Sequence, residues 1–185
     1  MTQPATPSGN LRAGLSGAFA LARGRREGLA RMPADPLAAT LSFWAVAVCL
    51  PAFVALRLLA RNVAGAPGQA THSMLAAILL FIIGWVGYAL LSHRIAAVLG
   101  RSALWPRYIV AWNWCNVVQY TLFLLATVPG LFGVPAWVDQ TLSLFVLFWA
   151  LWLEWYVATL ALRIGPLPAV LLVALDVLIG LLLVG

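Results

Sequence analysis

The sequence predicts an all-α polytopic membrane protein, a bundle of five transmembrane helices with a short N-terminal amphipathic helix. Apolar residues make up 64% of the 185 residues and charged residues only 9%. A soluble domain is typically about 45–50% apolar and about 25% charged, because its surface faces water. The apolar residues are also collected in five runs of roughly 20 residues, the length that crosses about 30 Å of hydrocarbon.

The first 36 residues form the one sizeable segment outside the predicted spans, and we expect a cytoplasmic tail there. Within residues 11–31, apolar side chains recur at helical spacing at Leu11, Leu15, Phe19 and Ala22. The segment also carries five arginines that we expect at the membrane surface: Arg12, Arg23, Arg25, Arg26 and Arg31. An amphipathic helix on an anionic leaflet would bury the apolar edge and place arginines among the headgroups. A flexible basic tail is the alternative, because four glycines weaken a helix here.

The remaining residues, 37–185, form the predicted transmembrane domain. The five spans are predicted at about residues 37–59, 73–92, 108–129, 138–162 and 167–184. Proline and glycine clusters mark the connections between them. His72 and His93 stand at the edges of the second span, and we expect both in connections.

The arginines predict the orientation in the membrane. Nine of the eleven basic residues precede the first span or lie in the second and fourth connections, which fall on one side. Because cytoplasmic connections carry an excess of Arg and Lys, the N-terminus is expected in the cytoplasm. An odd number of spans then places Gly185 outside. The expected location is the cytoplasmic (inner) membrane of a bacterium.

Two acidic residues fall inside predicted spans. Glu154 lies nine residues before Arg163, and Asp176 lies nine residues after Leu167. At about 1.5 Å of rise per residue, each carboxyl group is roughly 13 Å from the same end of its helix. A tight hairpin around Gly165 would therefore bring both carboxyl groups to a similar depth.

Polar residues of the third span are expected to join these acids. Asn113 and Asn116 belong to a polar stripe at helical spacing, and their depths overlap with those of Glu154 and Asp176. Small residues beside each acid indicate faces packed against protein, since they allow helices to approach closely. The predicted intramembrane cluster is thus Glu154, Asp176, Asn113 and Asn116. We expect three tryptophans to close it on the lipid side: Trp112, Trp152 and Trp155.

This cluster has two interpretations. If both acids were ionised, burial and mutual repulsion would be unfavourable, so one or both should bind a proton or hold a cation. A proton- or sodium-linked site would follow from that. Alternatively, protonated acids hydrogen-bonded to amide or indole groups stabilise the bundle without any transport.

Other kinds of site find little support in the sequence. Known nucleophile, zinc-protease and phosphate-loop motifs are absent, so we expect no enzyme, no catalytic residue and no cofactor. Cys49 and Cys115 lie in separate spans without a CxxC or a histidine at ligand spacing, which predicts apolar packing and no metal site. The arginines are explained by topology, so no nucleic-acid partner is expected.

Three segments carry a resemblance to known proteins: FWAVAVCLPAF in the first span, YIVAWNWCNVVQY in the third, and WYVATLALRIGPLPAVLLVALDVLIG at the end. With the basic N-terminal segment, they resemble uncharacterised small inner-membrane proteins of proteobacteria, which implies a location. The five-span layout with an inside N-terminus is also similar to the YIP family, whose eukaryotic members contact Rab GTPases. The acidic DLYGP-like signature of those members is missing from this sequence, so their binding function is not implied.

The sequence thus favours an integral inner-membrane protein with an accessory, scaffold or lipid-environment role. Its expected partners are membrane lipids and either another membrane protein or further copies of the chain. The alternative is a small proton- or cation-coupled carrier that uses the carboxyl groups of Glu154 and Asp176.

Overall fold

The structure is a computed structural model, and it describes residues 7–64 and 70–184. Every regular element within these two ranges is helical, which confirms the predicted all-α fold. In chain order the helices are α1 (Pro7–Ala22), α2 (Glu27–Ala30), α3 (Pro36–Ser42), α4 (Trp44–Ala64), α5 (Ala70–Val98), α6 (Trp105–Ala126), α7 (Val128–Leu131), α8 (Ala136–Leu162) and α9 (Pro166–Val184). A single 3-10 turn, Ser102–Leu104, precedes α6.

Five stretches of these helices are long and apolar enough to cross a membrane, which makes the chain a multi-pass membrane protein by length and composition. They are Pro36–Ala60, Met74–Val98, Ser102–Leu131, Ala136–Leu162 and Pro166–Leu183. The second span extends beyond its predicted bounds, because α5 runs from Ala70 to Val98. His72 and His93 had been expected in connections, but both lie within α5.

α6 is the central helix of the bundle. It contacts α1, α3, α4 and α8 extensively, and it also touches α5. Around it, α4 packs against α5, α5 against α9, and α9 against α8. In the most apolar part of α6, 67% of the residues are buried, compared with 11% in α9. Protein therefore surrounds α6 on most sides, whereas α9 has most of its surface available to lipid.

The connections divide the bundle into two ends. We call the end that carries residues 99–104 and 163–165 the arginine-rich end, because Arg101 and Arg163 are exposed there. The opposite end carries residues 127–135, between α6 and α8.

The N-terminal segment packs against the bundle, so it is not a separate tail. Its helix covers residues 7–22 instead of 11–31, and its buried face contains Gly14, Ala18 and Leu21. A Cβ atom at Gly14 would lie 2.5 Å from two ring carbons of Trp114, so only glycine allows α1 to approach α6 this closely. This face of small residues contacts protein, and it is a different face of α1 from the apolar edge that was predicted to lie on the membrane.

A turn after α1 holds the segment to α8. Gly24 has a φ of +73°, a left-handed conformation that glycine adopts without steric cost. Its carbonyl oxygen accepts a 2.7 Å hydrogen bond from the hydroxyl of Tyr156. Two members of the predicted apolar edge, Leu11 and Phe19, remain exposed on the outer side of α1. The prediction that α1 touches the membrane surface rests on these two side chains.

Candidate functional site

The hairpin between α8 and α9 sets the depth of the two intramembrane acids. α8 ends at Arg163, which adopts φ 53° and ψ 47°, the left-handed conformation common after a helix. α9 then begins at Pro166, a residue suited to the first turn of a helix. Glu154 precedes this turn by nine residues and Asp176 follows Pro166 by ten. At ~1.5 Å per residue, both acids lie about 13 to 15 Å from the turn.

The structure brings the carboxyl groups of Glu154 and Asp176 within hydrogen-bonding range of each other. Small buried residues on both helices make this approach possible, among them Ala158 and Ala161 on α8 and Ala169 on α9. Glu154 is buried, and Asp176 is partly buried beside a cavity. The two acids therefore form one carboxyl pair inside the bundle.

Gln119 of α6 completes the surroundings of this pair. Its Nε2 donates to the carbonyl oxygen of Ala150 at 3.2 Å, and its amide is also within hydrogen-bonding range of Glu154. In the described part of the chain, Oε2 of Glu154 has no hydrogen-bond partner. Two adjacent carboxylates in a region of low dielectric repel each other strongly. The pair therefore favours a state in which it shares a proton or holds a cation.

A cavity of about 130 Å³ lies against Asp176, between α5, α6 and α9. A single water needs roughly 10 to 15 Å³ of such space, so the cavity has room for several waters or one small ligand. Its polar walls come from Asp176, Asn116 and Tyr120. The remaining walls are Leu80, Phe81, Gly84, Trp85, Trp112, Ile179 and Gly180.

Four aromatic rings form one side of the cavity and contact one another. The ring of Phe81 meets Trp85 edge to face at 5.4 Å between centroids, and Tyr120 at 5.8 Å. Trp85 in turn meets Trp112 at 5.1 Å. Such edge-to-face pairs are each worth about 0.5–1.5 kcal/mol beyond their burial, so the rings hold each other in place. We call Phe81, Trp85, Trp112 and Tyr120 the aromatic wall.

Trp112 contributes its ring to this site. The side chain is only 3% exposed, and its Nε1 has no partner among the described residues. That nitrogen is enclosed by protein and does not face the cavity. The prediction placed Trp112 on the lipid side of the polar cluster. It lies inside the bundle instead, because neighbouring helices cover α6 on most sides.

Asn113 belongs to a different polar group from the carboxyl pair. Its Oδ1 accepts from Nε1 of Trp85 at 2.7 Å, and its Nδ2 donates to Oγ of Ser42 at 2.7 Å. Both functional atoms of this amide are thus used in linking α6 to α5 and α3. Of the two asparagines predicted beside the acids, only Asn116 lines the cavity with Asp176.

A pair of buried tyrosines extends from the aromatic wall. The ring of Tyr88 stacks on Trp112 at 4.5 Å, and its hydroxyl hydrogen-bonds to that of Tyr108. Nearby, Nε1 of Trp105 donates to Ser92 at 3.1 Å. Because Trp105 starts α6, these contacts continue to the arginine-rich end. The two hydrogen bonds are separate from each other, and both lie between the cavity and that end.

The other tryptophans predicted around the polar cluster lie elsewhere. Trp152 is partly exposed and stacks on Tyr156 at 5.2 Å, next to the N-terminal segment. Trp155 donates to the carbonyl oxygen of Pro166 at 3.3 Å and so supports the α8–α9 turn. The five N-terminal arginines, Arg12, Arg23, Arg25, Arg26 and Arg31, are all exposed and none of them lines the cavity.

A second cavity, of about 720 Å³, lies at the opposite end of the bundle. It is bounded by α4 and by the connection between α6 and α8. Apart from Thr127 and Asp139, the described residues that line it are aliphatic or glycine. The carboxyl pair and the aromatic wall are both separate from this cavity.

Within the described residues, no group of three or more His, Cys, Asp or Glu side chains is placed to hold a metal ion. Cys49 and Cys115 are buried free thiols. Among the described residues, the side-chain oxygen atoms at the wall of the first cavity are those of Asp176, Asn116 and Tyr120, and Glu154 is paired with Asp176. These groups can hold a proton or a singly charged cation, whereas Ca²⁺ and Mg²⁺ take at least about six oxygen ligands.

The sequence analysis did not identify Phe81 and Trp85 on α5 as residues of the site, and it assigned Gln119 no hydrogen-bond partner. Phe81 and Trp85 are four residues apart, and this spacing puts them on one face of a helix. That pair of large rings in an otherwise mostly aliphatic span was the available signal. The sequence indicated the role of Gln119 less clearly, because this residue lies at the edge of the polar stripe of α6 and not within it.

Comparison with protein-family models, curated proteins and solved structures found no match to this chain.

Proposed function

We propose that the protein is a small membrane carrier that exchanges a cation for a proton at the carboxyl pair. The observation that carries this proposal is the contact between Glu154 and Asp176 beside a cavity inside the bundle. Ionisable groups within spans are costly, and those that persist mark ion pathways or proton relays.

Competition between a proton and a cation for the carboxyl pair would couple the movement of one to that of the other. A proton shared by the two carboxyl groups and a cation held by them neutralise the same negative charge, so each disfavours the other. A carrier that exposes the pair to one side at a time would then release a proton when it takes up a cation. The proposed setting is the bacterial inner membrane, with the arginine-rich end in the cytoplasm.

The proposed activity includes no chemical turnover. Among the described residues that line the cavity there is no Ser, Cys, Lys or His to act as a nucleophile or base. Lipids surround the bundle in this proposal, and no soluble partner is required.

Purified protein in liposomes with an acidic interior and an internal pH dye tests the exchange. We expect at least one of three external cations, added as sodium, tetramethylammonium or choline chloride, to make the interior alkaline in wild-type vesicles. Glu154→Gln and Asp176→Asn should abolish this response. Glu27→Gln and Asp139→Asn are matched controls, since both acids are away from the cavity, and they should respond like wild type.

The accessory or scaffold role is the second candidate, and the burial of the carboxyl pair between α8 and α9 supports it as well. In that case the wild-type protein gives no response to any of the three cations. Glu154→Gln and Asp176→Asn would then lower the amount of folded protein in the membrane. That pair of results would reject the carrier.

A further inference from the structure

The walls of the cavity indicate what kind of cation fits it. Negative charge is provided by the carboxyl pair through Asp176, on the α9 side. On the α5 and α6 sides, the four rings of the aromatic wall line the same space. None of the described lining residues is basic. A cation in this cavity would thus meet carboxylate oxygen on one side and π systems on another.

A bare metal ion and an alkylated ammonium ion differ in what they need from such walls. Metal ions require a shell of oxygen ligands, and within the described part of the chain only the side chains of Asp176, Asn116 and Tyr120 supply oxygen at the cavity wall. An alkylammonium ion spreads its charge over C–H groups, which interact favourably with aromatic faces. Cages of aromatic residues that bind quaternary ammonium ions rely on this attraction.

A polar group of the aromatic wall narrows the choice of ligand further. Tyr120 lines the cavity and carries a hydroxyl, so a ligand with an oxygen acceptor could accept a hydrogen bond from it while the ammonium group faces Asp176. A ligand with a charged end and a hydroxyl or similar oxygen matches both features. The cavity of about 130 Å³ limits it to a small molecule.

We propose that the cavity formed by Asp176, Asn116 and the aromatic wall binds a small alkylammonium ion that carries an oxygen acceptor, an amino alcohol of the size of choline. This inference rests on the proposed function, because it names the cation that the carrier exchanges for a proton.

The test compares choline, tetramethylammonium and sodium chloride in the vesicle assay described above. Choline should drive alkalinisation at the lowest concentration, tetramethylammonium at a higher one, and sodium not at all. Tyr120→Phe keeps the ring and removes the hydroxyl donor, so it should reduce the preference for choline over tetramethylammonium by about two- to tenfold. Tetramethylammonium is the matched probe, since it lacks the oxygen.

Loss of one ring of the aromatic wall should weaken the binding of both choline and tetramethylammonium. Phe81→Leu is expected to raise their half-saturating concentrations by a few-fold to about thirtyfold. Phe148→Leu is the control, since Phe148 is 67% exposed on α8 and is not in the cavity wall. If the Phe81 variant does not accumulate, Tyr120→Leu tests the aromatic wall from α6.

The outcomes separate this inference from the proposed function. If sodium drives exchange as well as choline does, and the acid variants abolish it, the carrier stands and the alkylammonium ligand is wrong. Unchanged choline dependence in both ring variants would also reject the ligand. If no cation drives exchange in wild-type vesicles, the carrier itself is wrong.

Discussion

Replacing Gly14 by alanine is expected to loosen the docking of α1 on α6. The added Cβ would lie 2.5 Å from two ring carbons of Trp114, an indole that is only 2% exposed and has little room to move. Overpacking of this kind costs about 1–3 kcal/mol, and so close a contact points to the upper part of that range. Alanine returns about 1 kcal/mol because it is the better helix former. The net effect is about 2 kcal/mol, or roughly thirtyfold more undocked α1.

Thiol labelling measures this undocking. Ala18 is fully buried on the docked face of α1, so a cysteine placed there reacts with a maleimide only when α1 leaves α6. The background carries alanine at Cys49 and Cys115. Gly14→Ala should raise the labelling rate about thirtyfold, whereas Ser16→Ala, on the exposed side of α1, should leave it unchanged. An equal rate in wild type and Gly14→Ala would show that α1 is not held against the indole.

Three further predictions concern the interior of the bundle. A Cβ at Gly180 meets nothing within 4 Å; Gly180→Leu should therefore occupy the cavity and abolish cation-driven exchange at normal abundance, whereas Gly180→Ala should retain exchange. Asn113→Leu removes the acceptor of the buried indole N–H of Trp85, which costs about 1–3 kcal/mol, and also removes the donor to Ser42, so it should lower the melting temperature in detergent by several degrees. Tyr88→Phe or Tyr108→Phe alone leaves one buried hydroxyl unpaired and should be destabilising, whereas the double variant should melt close to wild type. Equal melting temperatures for single and double variants would argue against that hydroxyl pair.

The contact between Glu154 and Asp176 could be anticipated because a short hairpin restricts two helices strongly. The positions of Gly165 and Pro166 set the turn, and the constant rise of a helix then gives both acids the same depth. Alanines near each acid pointed to the protein-facing sides of α8 and α9. The depth of both acids could thus be derived from the sequence, whereas their contact also depends on the rotation of the two helices.

The sequence did not predict that the polar residues of α6 belong to two separate groups. Asn113 and Asn116 lie on neighbouring parts of one helix, yet Asn113 bonds toward α3 and α5 while Asn116 lines the cavity. A helix enclosed by protein has no single polar side, so spacing does not reveal which neighbour each side chain meets.

The faces by which α1 and α5 pack against the bundle also could not be assigned from the sequence. The glycines of α1 indicated a weak helix, but Gly14 is what allows α1 to lie against Trp114. In α5, apolar residues occur on every side of the helix, so the sequence does not distinguish the face that carries Trp85 from the faces that meet lipid. Packing partners decide both cases, and these partners are distant in sequence.

The enclosed position of α6 has a consequence for biosynthesis. It has the lowest mean hydropathy of the five spans, and the side-chain amides of Asn113 and Gln119 donate to acceptors on other helices. A nascent chain that ends after α6 would expose Gln119 to acyl chains, because its acceptor on Ala150 has not yet been made. We therefore expect the translocon to retain α6 until α8 emerges, so that the two helices enter the bilayer together.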